Sequence, residues 1–589
     1  MSQLGGATYH VAVQGDYAFV GEGPRLVILN VANPSNPIMV GKTDVFSGIV
    51  NGVVISGNFA YVVDDYGFHI IDITDLTNPN EIGYCEISGW ARQVVVSGNY
   101  AYIASEDGLR IINISDPNNP VEVSNFVTTR SVYDVAISGD YAYIVERFSG
   151  LHIINISNPN TPSEVGFYNE SWLAEGVTVD GNYAYIADGN KGLRIFNISN
   201  PDSPNEVAYY VEPTGYFDDV AVFGDYAYVA DEENGLLVID ITDRAHPSLI
   251  GDYQFMPGWT MSLAISGHYT FITDGYGLHI ISILDPKNPM GVSFYNPISW
   301  ATNVEISGNY AYVTDGEMGL RIINITDPVH PFEIGHYDTS GLAERVTISG
   351  TYAYVADGYA GLSIINISNP YKPKEDSYYD TAGYALDIKI SGNYAYIADG
   401  NDGLRIIDVS NPLMPYEIGY YDSPGYAKRV VISGDYAYLA DENKGLRIID
   451  ISNPFHPYEV GYYDTPQCAV DIAVSNNYAY IVDLWYGLRI VDISNPASPI
   501  EIGNLEISGY SEAVLVEGNK AFLAAGYNGL AIIDITSRTT PSKIGFYSTA
   551  GWAIDTTIKD KLIYMTSSDG GLYTLIYTPC HINLPLIIK

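Results

Sequence analysis

The chain has 589 residues, and its 69 Asp and Glu against 27 Lys and Arg give a formal charge of −42. Nucleic-acid phosphates and anionic membranes are bound by clustered Lys and Arg, so both are excluded as partners. No run approaches the roughly eighteen apolar residues of a membrane-spanning helix, so no membrane insertion is expected.

A content of 57 Gly, 31 Pro and 52 Tyr suits a turn-rich, all-β chain. Met1 to Gly6 lacks a basic segment followed by an apolar one, so no secretory signal is read there. That leaves either a cytoplasmic protein or an exported one whose signal is not in this sequence. Cys85, Cys468 and Cys580 are odd in number and far apart, which argues against a disulfide framework or a zinc knuckle.

Self-similarity decides the fold. The residue before each tyrosine-rich strand falls at Gly15, Gly57, Gly98, Gly139, Gly181, Gly224, Gly267, Gly308, Gly350, Gly392, Gly434, Asn476, Gly518 and Asp560, spaced 41 to 43 residues apart. Within Ala385 to Gly425, strand a is LDIKIS, a tight SGN turn leads to strand b, YAYIAD, and the hairpin Asp399 to Gly403 leads to strand c, LRIIDVS. Asn411, Pro412 and Pro415 bend the chain into strand d, YEIGYYD, because proline cannot serve as a ladder interior.

Four antiparallel strands per period of about 42 residues are the signature of β-propeller blades. The predicted fold is all-β: tandem β-propellers of about fourteen four-stranded blades in two seven-bladed rings, residues 1–296 and 297–589. Six plus eight blades is the alternative. Aligning the last unit on Gly445 places Leu584 to Ile588 on strand d, so the C-terminus is expected to complete its own blade. Met1 to Leu4 would then be a strand remnant, with closure resting on packing.

The strand-c cores RLVILN from Arg25, LLVIDI from Leu236 and LRIVDI from Leu488, with Asn33-Pro34 and Asn495-Pro496 after the first and last, resemble the LVIVD repeat family. The resemblance covers nearly the whole chain. It implies seven-bladed propellers and an exported or surface-attached bacterial or archaeal protein, and it carries no catalytic motif. The terminal LPLIIK resembles apolar-basic tails of some exported bacterial proteins. An extracellular or cell-surface location is expected, with the cytoplasm left open.

Much of the acidity lies at repeated positions, such as Asp399 after strand b and Asp408 in strand c, where Asp caps turns by accepting backbone N–H groups. The D-x-D-x-D spacing of a calcium loop is missing, and no cofactor or metal is predicted. Sequons begin at Asn113, Asn155, Asn169, Asn197, Asn324 and Asn366, and five of these occupy the strand-c slot that Asp fills elsewhere. Interchange of Asn and Asp points to a local hydrogen bond rather than to glycosylation. Equivalent histidines in different blades lie on a circle, so no shared metal is expected from them.

The d–a loops, which enter the innermost strands around one mouth of each channel, carry the candidate site. In the first ring the slot holds Ala7, Ile49, Trp90, Ser131, Leu173, Tyr216 and Trp259, and in the second Trp300, Leu342, Tyr384, Tyr426, Cys468, Tyr510 and Trp552. Three residues later the second ring reads Asn303, Arg345, Asp387, Arg429, Asp471, Ala513 and Asp555. Inter-blade ion pairs and aromatic plugs would account for both rows.

The functional reading is a mouth that stacks a sugar or peptide face on aromatics and orients it with Arg and Asp. The predicted ligand-binding residues are Trp90, Tyr216, Trp259, Trp300, Tyr384, Tyr426, Tyr510, Trp552, Arg345, Asp387, Arg429, Asp471 and Asp555. The leading function is a noncatalytic binding or scaffold protein for a glycan or protein partner. One alternative is a polysaccharide hydrolase or lyase using Asp387, Asp471 or Asp555 beside Arg345 and Arg429. A structural surface-layer role is the other.

Overall fold

Strands b and c are predominantly apolar on both faces, which requires cover on both. In the computed structural model, strand b of Tyr394–Ala398 is buried from its second residue on, whereas strand d of Tyr416–Tyr421 is exposed at its first and fifth residues. Strands b and c are therefore central, and strand d is the outer edge. The structure describes residues 2–168, 173–232, 234–255, 260–327, 330–507 and 509–576.

Fourteen four-stranded antiparallel sheets are formed, and no helix occurs among the described residues. Thirteen sheets take their four strands consecutively from the chain. The sheet from residue 387 is representative: Asp387 pairs with Ala398, Tyr394 with Asp408, and Asp408 with Tyr416, with a bulge at Ile406/Ile407 opposite strand d. The chain is an all-β array of propeller blades.

The last sheet departs from the expectation. Its inner three strands are Ala553–Lys559, Leu562–Ser567 and Gly571–Ile576, but its fourth is Ser2–Leu4, with Ser2 opposite Thr574 and Leu4 opposite Leu572. The segment at 584–588, read as that strand, lies outside the described residues, and Ser2–Leu4 holds the position beside Gly571–Ile576. An open edge of unpaired N–H and C=O groups is thereby removed. The first residues are thus an integral strand and not a remnant, and closure of this sheet rests on hydrogen bonds as well as packing.

Contacts divide the chain into two compact units, Ala7–Pro297, and Met1–Gly6 with Ile298–Lys589. The boundary expected at 296 is corrected accordingly: residues 1–6 belong with the second half, because their strand completes its last sheet.

In the unit Ala7–Pro297 each strand a packs on the next, and Thr8–Gln14 meets both Val50–Ser56 and Ser262–Ser266. Paired bonds of 3.1 Å between Thr8 and Gly275 tie the first sheet to the seventh. In the other unit Asn303–Ser307 meets both Arg345–Ser349 and Ala553–Lys559. Apolar cores fill the spaces between neighbours, as where Tyr396, Leu404 and Ile406 pack on Val430, Leu439 and Ile449.

The Asn-Pro turns dock each sheet on its neighbour. A Cβ added to Gly419 in strand d would stand 2.1 Å from the carbonyl oxygen of Pro454, so the two backbones touch only because Gly has no side chain. Where Ser fills this slot, as at Ser124, its hydroxyl donates to the corresponding carbonyl, Pro159, at 2.5 Å.

The Asn/Asp slot in strand c makes the local bond expected of it. Asn366 accepts the N–H of Ser368 at 3.1 Å, and Asp408 that of Ser410 at 2.9 Å. Asn113, Asn155, Asn197 and Asn324 do the same, while Asn169 lies outside the described residues.

Candidate binding surface at the d–a and b–c loops

The repeat brings two loops together at one edge of each sheet. In the second unit, Gly400 in a b–c hairpin and Ala427 at the start of the next strand a exchange backbone bonds of 3.2 and 2.9 Å. The residue before Ala427 is Tyr426, whose ring lies 3.0 Å from where a Cβ of Gly400 would be. Gly400 has a φ of 58°, a left-handed conformation that glycine adopts freely. Gly358 beside Tyr384 and Gly526 beside Trp552 repeat the arrangement. Tyr384, Tyr426 and Trp552 thus each rest on the preceding hairpin.

Four rings gather in the second unit. Trp485 and Tyr510 have centroids 3.7 Å apart, Tyr510 and Trp552 5.0 Å, and Tyr527 meets Trp552 edge-on at 4.8 Å. Trp485 is 49% exposed and Tyr527 68%. The indole N–H of Trp552 donates to Glu512 at 3.1 Å, which fixes the ring plane and leaves its faces for apolar contact. Burial raises the Glu512 carboxyl above its ordinary range.

A smaller pair occupies the equivalent loops of two earlier sheets. Tyr359 meets Tyr384 edge-on at 4.7 Å, and the Tyr384 hydroxyl donates to Glu344 at 2.7 Å. Burial and that bond raise the Tyr384 phenol. Trp300 is exposed and Tyr426 half-buried.

The charged row lies deeper. Asp387, Asp471, Asp555 and Arg345 are buried, and Arg429 is largely so. Arg345 reaches Asp555 at 3.2 Å, Asn303 donates to Asp555 at 2.6 Å, and Arg429 stands 3.6 Å from Asp471. Asp387 accepts the N–H of Ile388 and of Val430, each at 2.9 Å, and Asp471 that of Val514 at 2.8 Å. Burial pushes the Asp471 carboxyl up, and burial with the nearby Arg345 pushes the Arg429 guanidinium down. The three carboxylates spend their oxygens on these arginines, on Asn303 and on N–H groups of the innermost strands.

In the unit Ala7–Pro297, Trp90 is exposed, and the Tyr216 hydroxyl donates at 2.7 Å to Glu175, which also pairs with Arg147. Trp259 lies outside the described residues. The inner row here was not singled out in the sequence, although it falls at the same offset: His10, Gln93, Asp134 and Asp219. Gln93 and His10 ring nitrogen are 2.6 Å apart, and burial lowers the imidazole to about 4. Burial, aided by the charge of Asp219, raises Asp134 to about 8.

The hairpin aromatics Trp485, Tyr527 and Tyr359 were also missed. Their signal was an aromatic in a b–c hairpin at the position that Glu317, Asn401 and Asn443 hold in other copies. Among the described residues no three His, Cys, Asp or Glu side chains form a group able to hold a metal ion.

No curated protein matches the chain. Among solved structures it is similar to PorZ, an essential bacterial surface component of the type-IX secretion system of Porphyromonas gingivalis, with a TM-score of 0.62 and 11% identity. The match covers 97% of this chain and 86% of that one, and at this identity it speaks for the fold. The LVIVD repeat model matches residues 5–45, 47–86, 88–128, 129–170, 173–211, 214–254, 257–296, 300–339, 340–381, 382–423, 424–465, 468–506 and 508–549. With matches over most of its length, the chain belongs to the LVIVD repeat family.

Proposed function

We propose that this protein is a noncatalytic, cell-surface binding protein that recognises a glycan on the aromatic cluster of Trp485, Tyr510, Tyr527 and Trp552. The cluster carries the reading: four rings within stacking distance, two of them well exposed, offer flat apolar surface of the kind that sugar faces cover. Glu512, which accepts the Trp552 indole N–H at the ring edge, supplies a polar group at the margin.

The buried Arg and Asp row holds the loops in place and is not the contact surface. That also weighs against a hydrolase or lyase, since an acid or base must reach the proton it transfers and these carboxylates already accept backbone or arginine N–H groups. The likeness to PorZ, a surface component, supports the location.

The test is a screen of neutral oligosaccharides by calorimetry with the full chain and with Trp552→Ala and Trp485→Ala. Each variant should weaken the best ligand at least about tenfold, the scale of losing one stacked ring. Undiminished binding in both variants would remove the cluster from consideration.

A further inference from the structure

In a chain of charge −42, the d–a loops of the third and fourth sheets of the unit Ala7–Pro297 are a basic exception. Arg92 is the second residue of the strand Ala91–Ser97, two residues after the exposed Trp90. Its guanidinium carbon lies 4.1 Å from the centroid of the Tyr133 ring, and that of Arg147 lies 4.5 Å from the same centroid. The two cations are therefore within about 9 Å of each other, both held against one ring.

Their partners differ. Arg147 is neutralised by Glu175. Arg92 has no acidic partner among the described residues, and its Nε is buried without a hydrogen bond. Arg130, three residues before Tyr133, is exposed and likewise without an acidic partner among the described residues, its guanidinium 5.6 Å from the Phe148 ring. Of the acids in the hairpin beside Trp90, Asp107 pairs with Arg110 at 3.1 Å, whereas Glu106 meets the Trp90 carbonyl through its backbone N–H and not through its carboxylate.

The planar fork of Arg matches a carboxylate with two parallel hydrogen bonds. We propose that Arg92 and Trp90 form a second site, separate from the aromatic cluster of the other unit, that binds an acidic sugar. The uronate carboxylate lies on Arg92, and the apolar face of the same ring stacks on Trp90. An acidic peptide would satisfy Arg92 but would bring no rigid ring for Trp90, which is why the sugar acid is the better fit.

The experiment titrates the full chain with an oligogalacturonate, with its fully methyl-esterified form and with a poly-glutamate peptide of matched charge. The expected result is that only the free-acid sugar binds well, that it weakens at least about tenfold in Arg92→Gln and in Trp90→Ala, and that Arg92→Lys retains part of the affinity. Raising the salt from about 50 to 500 mM should weaken it further, because the contact is ionic. Trp552→Ala should leave uronate binding unchanged.

Equal binding of the methyl ester, or an unaffected Arg92→Gln, would overturn the proposal. Poly-glutamate binding as tightly as the sugar would overturn the sugar class. Loss of uronate binding in Trp552→Ala would assign the ligand to the other cluster and leave no second site.

Discussion

The carboxylate of Asp387 accepts the backbone N–H of Val430, a residue of the next sheet's innermost strand, at 2.9 Å. The same stitch joins Asp134 to Val177, Asp219 to Leu263 and Asp471 to Val514. A strand-a N–H that faces the axis has no partner within its own sheet, so a side chain from the preceding blade supplies one. Acidity at this slot is first of all a way of joining blades.

Asp387→Ala should therefore destabilise its unit by about 1–3 kcal/mol, the cost of leaving a buried donor unsatisfied, while Asp387→Asn keeps an acceptor and loses less. Urea unfolding of both variants at neutral pH measures this. Equal stability of Asp387→Ala and the parent would show that the bond is dispensable.

The first unit's inner row makes stability depend on pH. Asp134 and Asp219 are both raised by burial, Asp134 to about 8. A carboxyl with a raised native pKa keeps a proton that the unfolded chain releases, so stability falls as pH rises from near 4 through 8. Asp219→Asn removes the like charge beside Asp134 and should shrink the loss between pH 5 and pH 8 by roughly 1–2 kcal/mol, one pKa unit being worth about 1.4 kcal/mol. Urea midpoints at the two pH values decide, and an unchanged difference would contradict the coupling.

At the docking contact between Gly419 and the Pro454 carbonyl, a β-branched side chain has no room. Gly419→Val should cost about 1–3 kcal/mol through overpacking, whereas Gly419→Ser should cost less, since Ser124 shows how a hydroxyl uses that carbonyl. Chemical denaturation of the pair gives the order, and a Ser variant worse than Val would refute the explanation.

Removing residues 2–6 should expose the edge of Gly571–Ile576. Hydrogen exchange at the amides of that strand should accelerate, with the unit Ala7–Pro297 unaffected. Unchanged protection along Gly571–Ile576 would mean that the strand from Ser2–Leu4 contributes nothing to it.

The period of about 42, the four strands per unit and the bends between them were legible because alternation, Gly turns and Asn-Pro bends are written in adjacent residues. Sequence by itself likewise located the d–a slot, and with it Tyr510 and Trp552. What only the tertiary structure decided is long-range. Ser2–Leu4 pairs with Gly571–Ile576 across nearly the whole chain, a choice that local pattern cannot favour over the segment at 584–588. Trp485 joins Tyr510, and Arg92 joins Tyr133, only because hairpins and loops of neighbouring sheets are brought to one edge by stacking. Whether a charge such as Asp387 faces a ligand or a neighbour's backbone follows from that same packing, since blades meet through residues some forty positions apart.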